Sequence, residues 1–159
     1  NHPSSLLHPL IVSLHSKGLS IALVVLLACG ESEPTSLTGL QLQAATAGSI
    51  KFLTQANPTV VGMEALFTGG LVVDDNGCIR LDSPDDATVI WPHGYRLDLV
   101  AGVGLVRDDH GRAVGLLDGD FALAGGEVPE LPPAMGFTQS DASYLAVHCP
   151  GRYWIVNGG

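Results

Sequence analysis

The 159-residue chain is short of basic residues, with seven Lys and Arg against sixteen Asp and Glu and a net charge of −9. Proteins that hold nucleic acid or an anionic bilayer surface do so by gathering cations, so neither is expected as an electrostatic partner. Aromatic residues are also few, at 6%. No apolar run approaches the roughly 20 residues that a membrane-crossing helix needs. Several short signatures of chemistry are missing. No G-x-S-x-G elbow accompanies the histidines, so a nucleophilic hydrolase has no visible nucleophile. No C-x-x-C pair is present among the three cysteines, which weakens a zinc reading. Gly102-x-Gly104 is not followed by a helical pattern, so it is not a dinucleotide-binding turn. No cofactor is implied.

What is abundant is glycine, with 20 residues, and proline, with 10. Both punctuate a series of short apolar runs. Gly70-Leu71-Val72-Val73-Asp74-Asp75-Asn76-Gly77 returns 34 residues later as Gly104-Leu105-Val106-Arg107-Asp108-Asp109-His110-Gly111, identical at six of eight positions. Each copy reads as a strand and a tight turn leading into a second strand. The aspartates can accept backbone N–H groups two residues on, and Gly77 and Gly111 can take the positive φ that closes such a loop. The pair is read either as two convergent hairpins or as an internal duplication.

Further strands are expected at 60–73, bent at Gly69-Gly70, at 78–82, 88–91, 96–100, 103–106 and 113–117, around Phe121 and Leu123, and at 145–149 and 153–156. Residues 40–55 read as an edge strand or irregular cover, and 127–143, with three prolines, as a long surface loop. About eight short strands with no amphipathic helix make an all-β domain over residues 40–159. Recurring glycine kinks favour tight curvature, hence a small closed or partly open OB-like barrel, with a β-sandwich as the alternative.

The N-terminus differs in kind. Lys17-Gly18 precedes an apolar run from Leu19 to Leu27, of the length of a signal-peptide core, which implies an N-terminal signal helix. The run ends in Leu26-Leu27-Ala28-Cys29, which resembles the lipobox of bacterial lipoproteins. The resemblance covers about a dozen residues. It implies a signal peptide at 1–28, cleaved so that Cys29 becomes an acylated N-terminus, and a protein held to the cell envelope by its lipid. Gly30, in place of the Asp that retains such proteins at the inner membrane of enteric bacteria, implies the outer membrane or cell surface. Residues 29–39, polar and low in bulk, then form a flexible tether.

With Cys29 lipidated, Cys78 and Cys149 remain, and an exported domain with two cysteines favours a disulfide between them. The competing reading is a zinc site with His93 or His148. Trp91-Pro92-His93-Gly94 is the least ordinary tetrapeptide, and Trp91, His93, Tyr95, Tyr153 and Trp154 form the candidate binding surface, since exposed aromatics mark binding patches. Asp74-x-Asn76-Gly77 and Asp118-Gly119-Asp120 have some calcium-loop residues but lack the rest of the ligand set. Together these residues imply a lipid-anchored envelope domain with a binding or structural role, its partner an envelope protein or glycan. The alternative is an envelope hydrolase or metal-dependent enzyme using His93 or His148 with nearby acids.

Overall fold

The structure, a computed structural model, describes residues 37–44, 50–59 and 62–158. The expected signal helix, Cys29 and most of the tether lie outside them. Among the described residues no helix is long and apolar enough to cross a membrane.

The fold is all-β with one helix added. Its strands are β1 (Leu40–Ala44), β2 (Lys51–Gln55), β3 (Ala65–Val73), β4 (Ile79–Leu81), β5 (Thr88–Trp91), β6 (Arg96–Val100), β7 (Val103–Arg107), β8 (Ala113–Leu116), β9 (Asp120–Val128) and β10 (Tyr153–Val156), with α1 (Gln139–His148) before the last strand. Five of them close a ring. β5 runs parallel to β10, β10 antiparallel to β9, β9 to β3 and β3 to β4, and β4 returns to β5 through Arg80 and Thr88. This is the small closed barrel that the short strands and glycine kinks imply, not a sandwich. The β1–β2 hairpin extends it along β5, pairing Leu53 with Ile90 and Thr54 with Trp91. β6, β7 and β8 form a separate antiparallel sheet.

Side-chain alternation divides the interior into two cores. Along β2, β5 and β10, Phe52, Val89, Trp91, Trp154 and Val156 face one cluster, which the separate sheet completes with Leu97, Val106 and Leu117. The intervening Leu53, Ile90, Tyr153 and Ile155 face the other, with Leu145 of α1. Strands covered on both faces carry continuous apolar runs, as Thr88–Trp91 and Tyr153–Val156 do. The separate sheet is also held by Gln43. Its side chain accepts from the Leu97 N–H and donates to the Leu97 carbonyl, each at 3.1 Å, as a neighbouring strand would.

Three expectations are corrected. Residues 145–149 are not a strand but the end of α1 and its cap, and the expected loop at 127–143 contains the end of β9, a 3-10 turn at Pro133–Met135 and the start of α1. Gly125-Gly126 lie inside β9. A Cβ on Gly125 would fall 2.2 Å from the Ile155 carbonyl oxygen, so glycine there lets β10 approach and the strand runs on to Val128. Residues 37–39 belong to the domain rather than to a flexible tether, because Gly39 is buried and the N–H groups of Thr38 and Gly39 are bonded to Asp141.

Candidate functional site

The two repeated turns are built alike. Asp74 Oδ1 accepts the N–H groups of Asn76 and Cys78 at 2.9 and 2.8 Å, and its Oδ2 accepts Arg80 Nε at 2.7 Å. Asp108 Oδ1 accepts those of His110 and Arg112 at 3.0 and 2.8 Å, and its Oδ2 accepts Arg112 Nε at 2.6 Å. Gly77 and Gly111 close the turns at φ 80° and 81°, as expected. Burial pushes both aspartates up, but the arginine and backbone donors outweigh it and hold both below the usual carboxylate range. Their oxygens are occupied by the turn itself. Asp108, Asp109 and His110 have ligand atoms within 4.8 Å of one another, yet Asp108 cannot turn to a metal without undoing its loop. The same holds for Asp74 as a calcium ligand. Asp118-Gly119-Asp120 forms the β8–β9 turn, closed by the Gly119 N–H on the Leu116 carbonyl at 2.9 Å.

Cys78 and Cys149 are bonded, with Cα atoms 5.8 Å apart. Their sulfurs are therefore unavailable to zinc. The bridge lies within a buried polar clasp. Arg80, 7% exposed, binds Asp74 and donates to the carbonyls of Asp86 and Pro150 at 2.8 and 2.7 Å, joining three loops. At the other end of α1, Asp141 is fully buried. It accepts the N–H groups of Thr38, Gly39, Leu40 and Thr138 and the Thr138 hydroxyl, at 2.7–3.2 Å. Burial pushes this carboxyl up, and the donors, Thr138 foremost, more than reverse that. Thr138 and Asp141 form a capping box, so α1 begins where it does for a local reason.

The five residues of the expected aromatic surface are not brought together. Trp91 is fully buried, stacked on Phe52 with ring centroids 5.4 Å apart, and Trp154 is 7% exposed against Phe67. Both are core residues. Tyr153, 6% exposed, sits beneath α1. His93 is exposed and Tyr95 half-buried.

Among the described residues, one shallow apolar cleft of about 320 Å³, lined by Leu71, Val73, Val103 and Leu117 among others, carries no titratable group except Asp118. Two further clefts are more polar. The smaller of these, about 180 Å³, is lined by Gln55, Thr59, His93, Tyr95 and Asp109, among others. It joins His93 to a carboxylate, as a hydrolase would require. Its chemistry is incomplete: Asp109 pairs with His110 Nδ1 at 2.6 Å, and the Thr59 hydroxyl donates to Gln55. Burial, then the charges of Asp108 and Asp109, push the Tyr95 phenol up, so it stays protonated. His148 packs on Tyr144, ring centroids 4.3 Å apart, at the end of α1. The larger cleft is a half-open groove of about 490 Å³ beside α1. One wall is the stripe Gln139, Ala142, Ser143 and Ala146, the other the 129–133 segment, with Phe137, Thr138 and Tyr153 completing it. Of the expected surface only Tyr153 touches it. The sequence signal that could have found it is Thr138-x-x-Asp141, which starts the helix that forms its wall.

No protein-family model matches this chain, and no curated protein or solved structure is significantly similar to it.

Proposed function

We propose that the protein is a lipid-anchored cell-envelope domain with a non-catalytic binding role. It is exported, acylated at Cys29, and takes a ligand of the envelope, a protein segment or a glycan, in the groove beside α1. The observation that carries the binding role is the groove itself. It has a pocket's volume and mixed lining, with hydroxyl, carboxamide and carboxylate groups set among apolar walls. By fold-level analogy, OB-like barrels bind ligands at the connection between their fourth and fifth strands, and here that connection, β9 to β10, forms the groove. The Cys78–Cys149 bond fits an oxidising compartment, and the lipobox-like run fits export to one.

The hydrolase reading has one observation in its favour, the cleft that joins His93 to Asp109. It ranks second because, among the described residues lining that cleft, the Thr59 hydroxyl is bonded to Gln55 and Asp109 is paired with His110.

The test uses the full chain expressed in a bacterium that processes lipoproteins. Wild type is expected in the membrane fraction, and Cys29→Ser free of membranes or unprocessed. Crosslinking in intact cells should capture an envelope component with wild type and lose it with Ala146→Trp, which fills the groove. Wild type found soluble with an unmodified thiol contradicts the anchor, and capture unchanged by Ala146→Trp contradicts the site.

A further inference from the structure

On the reading that the groove beside α1 is the ligand site, we infer that its ligand is an extended basic peptide segment that seats a lysine or arginine side chain. The lining decides the charge. Among the described residues that line the groove, Glu130 alone is charged, and it is exposed. With no Lys, Arg or His among its lining residues, and a chain net charge of −9, the groove disfavours anionic ligands. At the N-terminus of α1 the Asp141 carboxylate already accepts from Thr138 and supplies the negative charge that a helix start favours.

The walls decide between peptide and glycan. A sugar ring docks by laying its C–H face on an open aromatic face. Phe137 and Tyr153 are only 4% and 6% exposed, so the groove has no such platform. What it has is small side chains along one helical face, Ala142, Ser143 and Ala146, opposite Leu131 and Pro133. From Gln139 to Ala146 the helix rises about 10 Å, the length of about three residues of extended chain. Ser143 and Gln139 can each donate to and accept from a peptide backbone. Pro133, which is exposed, provides an apolar bed, and Glu130 lines the same groove with its carboxylate. A lysine or arginine side chain has the matching form, an alkyl stem with a cationic head.

The test is amide NMR on the ¹⁵N-labelled full chain with four probes: an Ala-Lys-Ala-Lys-Ala peptide, its glutamate counterpart, spermidine and a neutral chitin tetrasaccharide. The lysine peptide is expected to shift the amides of Ala142, Ser143 and Ala146 saturably. Its Kd should rise about fivefold in Glu130→Gln and at least about tenfold in Ala146→Trp, whose melting temperature reports that it is folded. Equal binding of the glutamate peptide overturns the charge assignment, and equal binding of spermidine overturns the peptide. Tetrasaccharide binding at the same amides overturns both while leaving the groove as a ligand site. Absence of any shift overturns the inference, and the Cys29 fractionation then judges the anchored reading separately.

Discussion

Asp141 joins the first strand of the fold to its helix with one buried carboxylate, and four backbone N–H groups depend on it. Asp141→Asn leaves the shape and turns an NH₂ group, or one oxygen too few, toward those donors. A loss of about 3 kcal/mol in urea unfolding is expected. The pH dependence follows from the same bonds. Unfolded aspartate titrates near about 3.9, and Asp74, Asp108 and Asp141 lie below their usual value when folded. Between the two values the unfolded chain binds more protons. The stability these groups supply is therefore full above about pH 5 and lost progressively as pH falls through about 4 toward the folded values. Thermal melts should be level above that range and fall steeply below it, with a shallower fall in Asp141→Asn. A second residue-scale prediction concerns the β6–β7 turn. Ala101 and Gly102 both have positive φ, 52° and 85°, as a type I′ turn requires. An alanine there is strained, so Ala101→Asn should stabilise by about 0.5–1 kcal/mol, read as a raised denaturation midpoint. Gly111→Ala should do the reverse by about 1 kcal/mol, since Gly111 holds φ 81°.

The helix is the element that most needs outside support. Only Asp141 and Leu145 of α1 are buried. It is held by its capping box at one end and by Cys149, bonded to Cys78 across 71 positions, at the other. The chain-entropy model assigns about 4 kcal/mol to a loop of that length, against about 5–15 kcal/mol of net stability for a small domain. Reduction should lower the urea midpoint substantially, and a reduced protein that melts like the oxidised one would contradict this. The same facts explain what could be read in advance. The hairpins were legible because Asp74, Gly77, Asp108 and Gly111 determine their turns through contacts two to four residues away. α1 was not, since one of its two inward residues is an aspartate and no apolar stripe marks its face. β1 and β2 are distinguished mainly by contacts far along the chain, Leu53 with Ile90 among them. The aromatic patch failed because Trp91 and Trp154 lie on strands covered on both faces, a property of the sheet order rather than of the tetrapeptide. The groove depends on how 129–133 folds against α1, a contact between separate segments that no local pattern specifies.

For the whole molecule, the proposed function unites a closed barrel and its groove with an acylated N-terminus. The disulfide and the groove belong to the barrel, and on that proposal the place in the cell depends on Cys29. If the anchor forms, the groove meets its ligand at the envelope. The most direct measurement is the mass of the N-terminal peptide of protein isolated from its own cells. The proposed function requires a peptide that begins at Cys29, carries diacylglycerol on its thiol and comes from the membrane fraction. An unmodified Cys29 within a longer N-terminal peptide, from protein found free of membranes, would contradict it.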